Sequence, residues 1–64
     1  MPHLVFEGSS GSAVCIDRET GKIIASVDSR GGLMANPPAI DLLSKLKREN
    51  QTVQEYIREQ AGGR

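Results

Sequence analysis

The sequence predicts an α+β domain in which a small antiparallel β-hairpin or three-stranded sheet is followed by one long C-terminal amphipathic helix. Two observations support this prediction. Residues 3–28 contain short runs rich in Val and Ile separated by Gly and Ser, whereas residues 37–61 carry apolar side chains at helical spacing and precede Gly62-Gly63. The 64 residues suit one small domain and are too few for a dinucleotide-binding sheet or an eight-stranded barrel.

The β-rich part is predicted to contain three strands, at residues 3–7, 13–17 and 22–28. Residues 8–12, rich in Gly and Ser, are predicted as a loop. Arg18-Glu19-Thr20-Gly21 lies between the second and third strands. A type I turn followed by Gly in the left-handed conformation is a common hairpin loop, and Gly21 is well placed for that role. We therefore expect an antiparallel hairpin centred on this loop.

Both faces of this hairpin carry apolar side chains. Alternation in its first strand separates Val14 and Ile16 from Ala13 and Cys15. Alternation in its second strand separates Ile24 from the other apolar residues, which are Ile23, Ala25 and Val27. A sheet with one solvated face should alternate apolar with polar residues, so we expect something besides the chain's own helix to cover part of the second face. The alternative is that small residues on that face tolerate water.

Residues 29–36 are predicted as a Gly-containing linker, residues 37–61 as the helix and residues 62–64 as a tail. Asn36-Pro37-Pro38 marks the start of the helix, because a residue before Pro avoids the helical region and Pro fits the first helical position. A helix of this length would measure about 35 Å at 1.5 Å per residue, while a globule of this size has a radius of gyration of about 11 Å. The helix is therefore expected to project or to pack along a second copy.

The apolar spacing along this helix fits a heptad pattern with a polar residue at one core position, Asn50. The residues predicted to form the interface of a helix-mediated dimer are Leu43, Leu46, Asn50, Val53 and Ile57. Two alternatives stay open. The same stripe could be the core-facing side of a helix that lies on its own sheet, or it could enter a groove on another protein.

Catalytic and metal-binding patterns are weak. A single histidine, His3, lies near the N-terminus, and a single cysteine, Cys15, lies in a predicted strand where a free thiol usually packs as a small hydrophobe. One His and one Cys cannot by themselves complete a structural zinc site. We therefore predict no enzyme activity, no metal and no cofactor.

Nucleic-acid binding is the second functional hypothesis. Eight Lys and Arg balance eight Asp and Glu, which argues against a large basic surface. A dimer could still bring local basic residues together, and the candidate contacts are Arg18, Lys22, Arg30, Lys45, Lys47 and Arg48.

The favoured function is a non-enzymatic protein–protein interaction module, a small homodimeric accessory, inhibitory or assembly factor that acts through its helix and its apolar sheet face. The partner is expected to be a second copy or a larger protein. We expect a cytoplasmic protein, because no apolar run approaches the roughly 20 residues of a membrane span and the N-terminal segment lacks a signal-peptide pattern.

Overall fold

A computed structural model describes residues 3–62 as four strands followed by two helices. The elements are β1 (Leu4–Ser9), β2 (Ser12–Asp17), β3 (Ile23–Val27), β4 (Leu33–Ala35), α1 (Pro37–Leu46) and α2 (Val53–Gly62). The strands pair antiparallel in the order β1-β2-β3-β4. The predicted α+β class is confirmed. The prediction of at most three strands and one long helix is wrong, because the sheet has a fourth strand and the helix is divided in two.

The first two connections are tight turns. Residues 10 and 11 form a two-residue turn in which Ser10 has φ 50° and Gly11 has φ 83°, the mirror-image geometry that suits the twist of paired strands. The predicted loop at 8–12 is therefore shorter, with its flanking residues in the strands. At the second turn Gly21 has φ 74° and its N–H donates to the Asp17 carbonyl at 2.7 Å. This confirms the predicted β2–β3 hairpin.

The segment predicted as a linker at 29–36 contains β4. The Asp28 carboxylate accepts hydrogen bonds from the Arg30 N–H at 2.9 Å and the Gly32 N–H at 2.8 Å, so it folds the chain sharply back after β3. Leu33–Ala35 then pair with β3. The Gly-Gly pair thus belongs to a defined turn instead of a flexible connection.

Helix α1 begins at Pro37, as predicted. The Asn36 side-chain oxygen accepts a hydrogen bond from the Ala39 N–H at 3.0 Å, and the two prolines occupy the first helical positions, where the missing N–H groups cost nothing. Asn36 itself is extended, as expected for a residue before Pro.

The predicted helix at 37–61 breaks between Leu46 and Val53. Lys47 is extended, with ψ 164°, and ends α1. Thr52 and Glu55 then form a reciprocal capping box: the Thr52 N–H donates to the Glu55 carboxylate at 2.8 Å, and the Glu55 N–H donates to the Thr52 hydroxyl at 3.1 Å. A new helix therefore starts after Thr52. Gly62 of the predicted tail at 62–64 belongs to α2, and the rest of that tail lies outside the described residues.

Both helices contribute to a core on one face of the sheet. The buried apolar residues of this core are Ala13, Cys15, Ala25, Val27, Leu43, Val53 and Ile57. Phe6 meets Tyr56 of α2 edge to face, with ring centroids 5.8 Å apart. The largest dimension of the fold is 26 Å, so the expected projecting helix of about 35 Å is absent from residues 3–62.

The capping box gives a test of the helix break. Because Thr52 caps α2, Thr52→Ala should lower the free energy of unfolding by about 1 kcal/mol. Inside a continuous helix the same change would raise stability, since Ala is a better helix former than Thr. Urea denaturation shows whether the free energy of unfolding falls or rises. Gln60→Ala, at an exposed position of α2, serves as the control and should change stability by less than about 0.5 kcal/mol. A higher urea midpoint for Thr52→Ala would contradict the two-helix structure.

Candidate interaction surface

The face of the sheet opposite the helices is lined by apolar side chains. The register aligns Val5 with Ile16 and Ile16 with Ile23, which forms one row across β1, β2 and β3. Directly opposed residues share a face, and none of these three belongs to the side chains that pack on the core. Ile23 is 61% exposed. This row therefore faces away from both helices.

A second row crosses all four strands. It runs from Glu7 through Val14 and Ser26 to Met34, whose side chain is 75% exposed. Within the four strands, Glu7 is the one charged residue on the face opposite the helices. We call the surface formed by Val5, Val14, Ile16, Ile23 and Met34 the open face.

A β-bulge places Ile23 on the open face. The register shifts between Cys15 and Ile16, so that Cys15 opposes Ala25 while Ile16 opposes Ile23. Ile24 is the extra residue, and it packs against the core. The predicted alternation, which separates Ile24 from Ile23, Ala25 and Val27, is therefore wrong for both isoleucines. Ile24 packs on the core side with Ala25 and Val27, and Ile23 lies on the open face. The prediction that neither face of the hairpin is polar is confirmed.

Met34 is not among the predicted interface residues, because residues 29–36 are predicted as a linker from which Leu33 and Met34 could dock on the core or on a partner. The alternation Leu33-Met34-Ala35 after a Gly-Gly turn is the signal that could have identified a strand. Leu33 and Ala35 pack against the core while Met34 points to the open face. The short edge strand thus extends the apolar surface of the hairpin.

The five predicted interface residues do not form one stripe. Leu43, Val53 and Ile57 lie in the chain's own core, whereas Leu46 is 42% exposed and Asn50 lies exposed in the connection between the helices. The break at Lys47 ends the heptad register, so the predicted coiled-coil arrangement with Asn50 at a core position is wrong. Contact of these residues with a partner stays a prediction.

The predicted nucleic-acid contacts lie in three separate segments. Arg18 and Lys22 are exposed around the β2–β3 turn, Arg30 is exposed in the β3–β4 turn, and Lys45, Lys47 and Arg48 lie at the end of α1. The Arg48 guanidinium forms two hydrogen bonds of 3.1 Å with the Glu59 carboxylate. This pairing neutralises one charge of the helix cluster. Nucleic-acid contact stays a prediction.

An open depression of about 710 Å³ lies beside the connection between the helices. Gln51, which is buried, accepts a hydrogen bond from the Arg48 N–H at 3.1 Å and donates one to Glu59 at 3.0 Å. The hydrogen bonds from Gln51 and Arg48 lower the pKa of Glu59. These polar groups satisfy one another, so the cluster serves to hold the connection in place.

The described residues contain no grouping of three His, Cys, Asp or Glu side chains suited to hold a metal ion. His3, the one histidine, is exposed just before β1. In residues 3–62 we also find no helix with the length and apolar character needed to cross a bilayer.

Comparisons with protein-family models, with curated proteins and with solved structures found no match to this chain.

Cys15 provides a test of the buried face of the sheet. Its side chain is fully buried, and desolvation together with the nearby Asp17 carboxylate raises the pKa of the thiol to about 11. A pKa two units above that of an ordinary thiol leaves about a hundredfold less thiolate at mildly alkaline pH. Iodoacetamide should therefore alkylate the folded protein at least about a hundredfold more slowly than the protein in concentrated urea. Equal rates would contradict this placement of Cys15.

Proposed function

We propose that this protein is a non-enzymatic interaction module that self-associates, with the open face of one copy covered by the open face of another. The observation that supports the proposal is the exposure of large apolar side chains, above all Ile23 and Met34, on a sheet face that the helices leave uncovered. Burying one such side chain contributes about 1.5–3 kcal/mol. A single copy with this face in water does not gain this free energy.

A second copy suits this surface for two reasons. Beside the open face, at its β1 side, Glu7 is the one charged residue that the four strands place on the same side of the sheet, so two open faces can meet with their apolar rows in contact and their carboxylates outside the centre. The formal net charge of the chain is zero, so two copies do not repel each other through long-range charge. Sheets that pack face to face form interiors of interdigitated apolar side chains, which is the chemistry these rows offer.

The biological role that fits such a module is that of a small accessory, inhibitory or assembly factor. We propose that it acts in the cytoplasm, since a single unpaired cysteine suits a reducing compartment.

Replacing an open-face side chain tests the proposal. Ile23→Asp places a charge within the proposed contact, and a two-fold assembly loses two apolar side chains at once. The dissociation constant of this contact should rise by at least about a hundredfold. Sedimentation equilibrium from low to high micromolar concentration should give a lower weight-average mass for Ile23→Asp than for the wild type.

Ile40→Asp is the matched control, because Ile40 is an isoleucine on α1 that is 37% exposed and lies off the open face. This variant should follow the mass of the wild type. Thermal unfolding of each variant confirms that the chains compared are folded. If Ile23→Asp and the wild type have the same mass at every concentration, the open face is not the self-association surface.

A further inference from the structure

The outer edge of β1 carries a regular series of hydrogen-bonding groups that face away from the sheet. The Arg18 N–H donates to the His3 carbonyl at 2.8 Å, and the two strands pair in register from Leu4 with Asp17 to Ser9 with Ser12. In an antiparallel pair the bonded positions alternate, so the groups of residues 5, 7 and 9 face β2. The N–H and C=O groups of Leu4, Phe6 and Gly8 therefore point outward. Among the described residues these outward groups have no hydrogen-bond partner.

The two edges of the sheet differ in how well they are protected. β4 has three residues and is followed within two residues by Pro37-Pro38, both features that discourage pairing with another strand. β1 has six residues, no Pro or Lys, and one charge, on Glu7. Added strands are therefore expected at β1, and pairing at one edge alone closes at two copies instead of continuing into a fibre.

We propose that β1 pairs antiparallel with β1 of a second copy, across a two-fold axis at Phe6, to make a continuous eight-stranded sheet. In this register Phe6 pairs with Phe6 of the other copy and Leu4 pairs with Gly8, which uses all the outward N–H and C=O groups of both strands. The inference goes beyond the contact between open faces, because it depends on a different observation, the backbone groups of the sheet edge.

The charge on Glu7 favours this register over a neighbouring one. With the axis at Phe6, Glu7 lies directly across from Val5 of the other copy. Moving the axis to Glu7 would place the two carboxylates directly opposite each other, which is destabilising, and would use fewer outward groups. The single charged residue of the edge thus selects the pairing that forms the most hydrogen bonds.

The helices also fit side by side in this arrangement. α2 lies over β1 and β2, as shown by the Phe6–Tyr56 contact and by Gly8, where an added Cβ would be 3.4 Å from the Ala61 Cβ. Two copies of α2 would then be about 10 Å apart, or two strand spacings, which is the distance between packed helices. Both open faces lie on the other side and become one continuous surface.

Edge pairing also changes what the open face presents. Because β1 becomes the central strand of the joined sheet, Glu7 of each copy lies near the middle of the continuous surface instead of at its side. The edge pairing is therefore tested separately from the open-face contact.

Two substitutions at Val5 test the edge pairing, in the background of Ile23→Asp so that the open-face contact is already weakened. Val5→Glu puts a carboxylate across from Glu7 of the other copy twice per pair, and Val5→Lys puts an ammonium there. We expect Ile23→Asp alone and Ile23→Asp with Val5→Lys to sediment as two copies. In the same background, Val5→Glu should raise the dissociation constant of the pair about tenfold or more relative to Ile23→Asp alone. Adding Glu7→Lys to Val5→Glu should restore pairing.

The two variants are matched, because both place a long charged side chain at the same half-buried position. Thermal unfolding checks that each is folded. Equal masses for the Val5→Glu and Val5→Lys variants would overturn the edge pairing. A single-chain mass for Ile23→Asp at every concentration would also overturn it while leaving the open-face proposal intact. If Ile23→Asp has the same mass as the wild type, that result would contradict the open-face contact and not the edge pairing.

Discussion

One layer of helix can cover one face of a four-stranded sheet, and the rest of this structure depends on that constraint. After β4 the described chain provides two helices of ten residues, and both contribute to the same core. Three of the sheet residues beneath them are the small residues Ala13, Cys15 and Ala25, which let the helices approach closely. The opposite face keeps large apolar side chains in water, and the self-association that we propose would bury them.

The break between the helices makes this packing compact. A continuous helix would have carried its C-terminal half beyond the sheet, whereas the turn at residues 47–52 returns α2 over β1 and β2. Gln51 and the Arg48–Glu59 pair hold this turn, and the Thr52–Glu55 capping box begins the new helix. Leu43 and Ile57, whose spacing suits either an intermolecular stripe or the core-facing side of a helix, both lie in the core of one chain.

Local signals in the sequence were sufficient for the β2–β3 hairpin and for the start of α1, because Gly21 and Asn36-Pro37-Pro38 act through nearby backbone groups. The helix break was missed although the Thr52–Glu55 spacing of a capping box is visible in the sequence, since apolar residues continue at heptad spacing across the break. The bulge at Ile24 could not be predicted, because register depends on strand partners. Apolar residues on both faces indicated an open surface; the bulge and β4 decided which residues form it.

The most direct test of the central claim is a dilution series followed by methyl NMR. If the open face is covered by a second copy, the methyl signals of Ile23 and Met34 should change with protein concentration, while those of Leu43, which is fully buried within one chain, should stay constant. Constant signals for Ile23 and Met34 across a concentration range in which the mass of the protein increases would contradict the claim, because the chains would then associate through another surface.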